Sequence, residues 1–292
     1  MYKIFLVVGV LLLSACTFND TQHLKELRRE AQQKESHEGR IYKDVIYKST
    51  FFYDMTLDIY APLVERYREA PIYLYIHGGS WLHGDKELVN VYDKTIYGLR
   101  KAGVAVVSIN YRFVSQSGVS AMVMDCRDAL LFLQEHAETY GLDMHKIGLH
   151  GHSAGANLAL VTGLQHSKES DDILFIVDEY GPTDAVKLLK ERNDRPWWSY
   201  LISDTTLEEI SPILMLHSHT PPIYISHGDV DKTVPIEQSL SLYDTLYAAE
   251  RPVRLEVILG VKHGYRGIAD DVLKAHRQRV LSYMLDQYKD AL

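Results

Sequence analysis

Apolar residues in this chain fall into short β-rich runs separated by longer amphipathic stretches. The runs are Ile41 to Ile46, Met55 to Tyr60, Ile72 to Ile76, Val104 to Ile109, Ile147 to His150, Ile173 to Val177, Ile223 to Ser226 and Leu255 to Leu259. Helical spacing marks Val123 to His136, Gln238 to Ala249 and Asp271 to Tyr288. The last of these carries Leu273, Val280, Leu281, Met284, Leu285 and Tyr288 at positions suited to packing on a sheet. Unbroken runs such as Val104-Ala105-Val106-Val107 indicate strands covered on both faces, as parallel sheets are. Only a short polar link joins the first two runs, which suits an antiparallel start. The pattern predicts one α/β domain: a mixed, mostly parallel eight-stranded sheet flanked by helices.

The first forty residues are of a different kind. Lys3 precedes the apolar segment Ile4 to Leu13, which is too short for a bilayer span of roughly 20 residues. Ser14 and Ala15 follow, then Cys16. Leu13-Ser14-Ala15-Cys16 resembles the lipobox of bacterial lipoproteins. That resemblance implies that residues 1–15 are a signal peptide, removed on export, and that Cys16 carries the lipid. The alternative is an ordinary secretory signal cleaved nearby. Thr17 in place of Asp implies the outer membrane, facing periplasm or cell surface. Charges alternate in sign through residues 16–40 with few apolar partners, so this stretch is a polar tether. Its reach is roughly 27 Å as coil and about 36 Å as helix. The domain proper is expected over residues 41–292.

Composition narrows the function class. The chain of 292 residues is 46% hydrophobic and 24% charged, which excludes a disordered chain. Lys and Arg number 31 against 39 Asp and Glu, with no long basic run, which argues against a nucleic-acid partner. Two cysteines cannot build a disulfide framework, and Cys126 falls in a helical stretch that assigns it to packing.

Candidate chemistry gathers at strand ends. Gly151-His152-Ser153-Ala154-Gly155 follows one strand and opens the small-residue helix Ala156 to Leu164. A serine between glycines at a strand-turn-helix junction is the nucleophile-elbow arrangement, with the helix N-terminus favouring developing negative charge. The bland alternative is a turn whose serine caps the helix. Upstream, His77-Gly78-Gly79-Ser80-Trp81 also follows a strand. Glycines there can turn amides toward an oxyanion, and the loop resembles the HGGG-type oxyanion motif with Ser80 as its fourth residue. The donors would be the amides of Gly79, Ser80 and Ala154. Downstream, Asp229 and Asp231 follow one strand and His263 the next, in the order serine, acid, histidine. Spacing leaves both aspartates open as the acid. The pairs His150/His152 and His217/His219 raise a zinc site, but the further ligands are missing, so no metal and no cofactor is expected.

Taken jointly, these motifs resemble the α/β-hydrolase superfamily, in its esterase/lipase group, close to acetyl and feruloyl esterases and kynurenine formamidase-like enzymes. The resemblance is carried by His77 to Trp81, Gly84-Asp85-Lys86, Asn110-Tyr111-Arg112, Gly151 to Gly155, Gly181-Pro182-Thr183-Asp184, Ser211-Pro212-Ile213, His227 to Pro235 and His263-Gly264. It implies an α/β-hydrolase fold with a short lid insertion, and it places the acid at Asp231, four residues before Pro235, leaving Asp229 to brace the loop. The implied activity is hydrolysis of short-acyl carboxylic esters, acetyl or aryl esters on carbohydrate among them, by a Ser153-Asp231-His263 triad. Trp81, Trp197, Trp198 and Tyr265 are candidate pocket-lining residues, with lid packing the alternative for Trp197 and Trp198. The competing activities are amidase, exopeptidase or arylformamidase on the same triad. From another class comes a non-catalytic binding lipoprotein, which a broken triad would mark; all three members are present.

Overall fold

The computed structural model describes residues 39–190, 199 and 202–290. The expected signal segment, Cys16, nearly all of the tether, Trp197 and Trp198 lie outside the described residues. Eight strands form one sheet: β1 (Ile41–Ser49), β2 (Asp54–Tyr60), β3 (Ala70–Ile76), β4 (Ala105–Ile109), β5 (Leu142–His152), β6 (Ile173–Glu179), β7 (Ile223–Gly228) and β8 (Val253–Ile258). Their order is β1-β2-β4-β3-β5-β6-β7-β8. β2 runs antiparallel to both neighbours, and every other pair from β4 to β8 is parallel. All eight apolar runs are strands, and the antiparallel start is present.

Strand periodicity separates two cores. In β3, Ile72, Leu74 and Ile76 join the larger cluster, while Tyr73 and Tyr75 join the other. Helices α1 (Asp93–Lys101), α2 (Val119–Glu135), α3 (Ala154–His166), α4 (Glu237–Ala248) and α5 (Asp270–Asp290) cover the sheet. Met122, Cys126 and Leu133 of α2, Leu158 and Val161 of α3, and Leu242 and Leu246 of α4 pack on the aliphatic face. Ile96 and Leu99 of α1 and Val280, Met284 and Tyr288 of α5 pack on the tyrosine-rich face. Cys126 is fully buried and unbonded to sulfur, and burial pushes its thiol far above the usual range. It is core, as its helical position implied.

Two differences from the sequence expectation have local causes. β5 begins at Leu142 rather than Ile147, because Ala70 and Pro71 pair with Leu142 and Asp143 across an irregular register. α1 has only Ile96 and Leu99 as buried apolar positions, too few for a periodic signal.

The motifs beside the glycine-rich loop are ionic anchors. Lys86 places its amine 2.9 Å from Asp58 of β2 and 2.8 Å from Asp44. Lys86 and Asp58 are buried, whereas the Asp44 side chain is 75% exposed. Asn110 accepts the Lys86 amide at 2.7 Å, and Arg112 donates Nε and Nη2 to Asp125, both at 2.7 Å. Among the described residues, Lys86→Met would leave the buried Asp58 carboxylate with Lys43 as its one cation and the Asp44 amide as a neutral donor. The expected loss is about 3–5 kcal/mol by urea unfolding, against under about 1 kcal/mol for Asp44→Ala. Similar losses from the two substitutions would refute this ranking.

Candidate active site

The turn between β5 and α3 is set by close contact. A Cβ at Gly151 would lie 2.3 Å from the Gly155 carbonyl group, and one at Gly155 would lie 2.1 Å from the Ile76 oxygen and 2.4 Å from that of His77. Only glycine fits at either place. Ser153 between them adopts φ 54° and ψ −124°, a strained conformation costing about 1–3 kcal/mol for a non-glycine residue. Its amide donates to the Glu179 carbonyl at 2.9 Å, while its own carbonyl accepts the amides of Ala156 and Asn157. The side chain is thereby held at the carboxyl edge of the sheet.

Three expected residues meet there. Ser153 Oγ lies 2.9 Å from His263 Nε2, and His263 Nδ1 lies 2.6 Å from Asp231 Oδ2. Asp231 Oδ1 accepts the amides of Thr233 and Val234 at 2.8 and 3.0 Å. Burial opposes the Asp231 charge, but hydrogen bonds from His227 and His263 and the Val234 amide outweigh it, so the carboxyl stays far below its usual range. With that carboxylate on Nδ1, the neutral imidazole carries its proton there and leaves Nε2 to accept from Ser153. Asp229 instead accepts the Gly260 amide at 2.6 Å, bracing the loop.

The His77–Trp81 loop faces this group. Gly79, Ser80 and Trp81 have φ of 131°, 55° and 59°, three successive positive values that reverse the chain. A Cβ at Gly79 would lie 1.7 Å from the His83 oxygen. Among the described residues the Gly79 and Ser80 amides have no acceptor, and Ala154 opens α3, where the helix itself offers none. His77 is fully buried, stacks 4.4 Å from the Tyr111 ring and donates Nδ1–H to the Gly78 carbonyl. Burial pushes its pKa down to about 4, so it supports the loop as a neutral ring. Tyr111 closes the support by donating its hydroxyl to the His77 carbonyl at 2.8 Å.

The remaining candidates have other surroundings. Trp81 is buried in the aliphatic core beneath the loop. Tyr265 is buried against Tyr180, with its hydroxyl 2.5 Å from Ser226 Oγ. Both side chains point inward and anchor the turns that bear the site. His152 bonds to the Tyr75 hydroxyl at 2.7 Å, and burial lowers its pKa to about 3. His150 bonds to the Tyr73 hydroxyl, and His217 donates Nε2–H to the Leu164 carbonyl. Among the described residues no group of three or more His, Cys, Asp or Glu is placed to hold a metal ion.

Strand order and the strand-turn-helix serine together define an α/β-hydrolase of the esterase/lipase group. The BD-FAE family model matches residues 57–246, and the chain belongs to that family. It is 28% identical over 249 residues to an acetyl esterase of Salmonella paratyphi A, covering 76% of this chain and 74% of that protein. Its fold is similar to that of a truncated carbohydrate esterase from gut microbiota, with TM-score 0.73, 23% identity, and coverage of 87% and 98% of the two chains. A thermophilic esterase of Thermogutta terrifontis is also similar, at TM-score 0.69, 23% identity, and 86% and 92% coverage.

The tightest of these constraints is open to test. Gly155→Ala is expected to cost at least about 1–3 kcal/mol, because its clash is with the backbone at the end of β3. An unchanged urea midpoint would show that the β3–α3 contact can yield.

Proposed function

We propose that this protein is a serine hydrolase of short-acyl carboxylic esters working through an acyl-enzyme. The observation that carries the reading is the continuous chain Ser153 Oγ to His263 Nε2 to Asp231, at 2.9 and 2.6 Å. His263 takes the Ser153 proton as the Oγ–carbon bond forms, and the oxyanion accepts from the Gly79, Ser80 and Ala154 amides. One such donor is typically worth about 10² to 10³ in rate. Collapse breaks the carbon–alkoxy bond, and His263 gives its proton to the leaving alcohol. Water then repeats the sequence, releasing the acid and restoring the Ser153 hydroxyl. Asp231 holds the tautomer and stabilises the imidazolium at each stage.

Acetyl or aryl esters on carbohydrate are the substrate class we favour, supported by the acetyl esterase likeness and the family. We also propose that the enzyme is exported, lipidated at Cys16 and held at the outer membrane by residues 16–40. Lys3, the apolar segment to Leu13 and the small residues before Cys16 support this. Globomycin-sensitive processing and loss of membrane association in Cys16→Ser are the expected results.

Purified enzyme is expected to hydrolyse p-nitrophenyl acetate. Ser153→Ala should remove that activity, and Asp231→Asn should lower kcat by about 10³ to 10⁴. Equal turnover by wild type and Ser153→Ala would refute the mechanism. A panel of acyl esters, acetylated and feruloylated xylan, formamides and aminoacyl anilides ranks the substrates. Fastest turnover of anilides would replace esterase with amidase.

A further inference from the structure

Beneath the site, on the tyrosine-rich face of the sheet, lies a chain of buried charges that the reaction above does not use. Glu179 ends β6 and is 1% exposed; His276 of α5 is fully buried. His276 Nε2 faces Glu179 Oε1 at 3.5 Å, and its Nδ1–H donates to Glu256 of β8 at 2.8 Å. Tyr92 donates its hydroxyl to Glu179 Oε2 at 2.7 Å, and His150 Nε2 lies 3.6 Å from Glu179 Oε1. Arg279 and the Tyr224 hydroxyl both bond to Glu256, closing the outer end.

Such an arrangement is a poor source of stability, because desolvation of buried charges offsets most of their attraction. Its contacts give it another use. The backbone carbonyl of Glu179 accepts the Ser153 amide at 2.9 Å, so whatever fixes Glu179 also fixes the strained turn. On the other side, the His276 ring packs 4.8 Å from Tyr265, which belongs to the same one-turn element as His263. Tyr265 in turn packs 4.7 Å from Tyr180, whose ring lies 5.0 Å from His263. One ion pair thus touches the supports of both partners in the 2.9 Å Ser153–His263 contact.

We propose that Glu179 and His276 are positioning residues, the buried pair tying α5 to the Ser153 turn and the His263 turn and so setting the distance between them. The inference rests on the reading of Ser153 and His263 given above. It requires His276 to carry a proton, since two carboxylates converge on it. Burial works against that charge, but the Glu179 carboxylate facing Nε2 and the hydrogen bond to Glu256 raise its pKa to about 9. The groups facing it are Glu179 from β6, Glu256 from β8 and Tyr265 from the His263 turn. Arg279 of its own helix and Tyr224 of β7 reach it only through Glu256. Because the folded pKa lies above the ordinary 6.5, the ordering is complete below about pH 6.5 and is lost as pH rises through about 9.

The test measures kcat and KM of the intact enzyme for p-nitrophenyl acetate from pH 6 to 10, in wild type, Glu179→Gln, His276→Gln and Glu256→Gln. Circular dichroism and urea unfolding give the folded fraction of each. Per folded molecule, Glu179→Gln and His276→Gln should lower kcat about tenfold or more while KM stays within about twofold, as expected of misplaced reacting groups. Wild-type kcat should decline above pH 9, Glu256→Gln should move that decline to lower pH, and His276→Gln should lack it. Unchanged kcat in the folded variants, or the same alkaline decline with and without His276, overturns the inference. If His276→Gln does not fold, an unmoved decline in Glu256→Gln overturns it instead. Turnover that survives Ser153→Ala removes the reaction scheme and this inference together. Turnover that needs Ser153 but ignores Glu179→Gln and His276→Gln removes this inference alone.

Discussion

The site depends on one steric contact, the first turn of α3 pressed against the end of β3. With no side chain at Gly155, the α3 backbone comes so close to the Ile76 and His77 carbonyls that a Cβ would fall 2.1 Å from one of them. This single approach connects two pieces of chemistry. α3 begins immediately after Ser153, and the loop bearing the Gly79 and Ser80 amides begins immediately after His77. The distance from the serine to the Gly79 and Ser80 amides is therefore set by backbone against backbone. Geometry held in this way is paid in strain at Ser153 φ 54° rather than in side-chain entropy.

Charge around the site follows the number of hydrogen-bond partners more than burial alone. Asp178 and Glu179 are adjacent, fully buried, and on opposite faces of β6. Among the described residues Asp178 has only the Gly181 amide as a hydrogen-bond partner, and burial pushes its pKa up to about 7. Glu179 has Tyr92, His150 and His276 around it and stays well below the ordinary value despite the same burial. Asp231 follows the second pattern, with two amides and two imidazoles. His77, buried, and His152, half-buried, have no carboxylate bond among the described residues and are pushed toward neutrality. The imidazoles beside Ser153 thus have different duties: His263 faces an ionised acid, while His77 and His152 support loops as neutral rings.

Much of this was legible from residue pattern. All eight strands, the antiparallel start and the covering helices α2, α4 and α5 follow from apolar periodicity, because those elements bury a full face. α1 buries only Ile96 and Leu99 among polar neighbours and left no comparable trace. The glycine-serine and histidine-glycine motifs marked the site because backbone crowding restricts those positions to few residue types. The division of labour between Asp229 and Asp231 was not fixed by spacing; it follows from loop geometry that turns one carboxylate to Gly260 and the other to His263. Least legible was the Glu179–His276–Glu256 chain. Its members come from β6, α5 and β8, and a lone Glu at a strand end or His on a helix reads as an exposed polar residue. Only the fold brings them together.

That contrast explains where the family resemblance resides. Most of its motifs do no chemistry: Lys86 anchors to Asp58, Asn110 accepts the Lys86 amide, Arg112 holds Asp125, and Tyr111 holds the His77 carbonyl. Each contact ends on the loop following β3 or on a segment that touches it. Every residue except proline has a backbone N–H, so a site made of amides is not specified by its own side chains. The Gly79 and Ser80 amides are instead directed by three successive positive φ values, with Tyr111 holding the His77 carbonyl beside them. Asp58 and Ser108 alternate with aliphatic-face neighbours, so the Lys86 anchor lies on the α1 and α5 face, which also carries the Glu179–His276–Glu256 chain. That face therefore holds the segment after β3 through Lys86 and the serine turn through the Glu179 carbonyl, while Arg112 and Asp125 of α2 brace the aliphatic face.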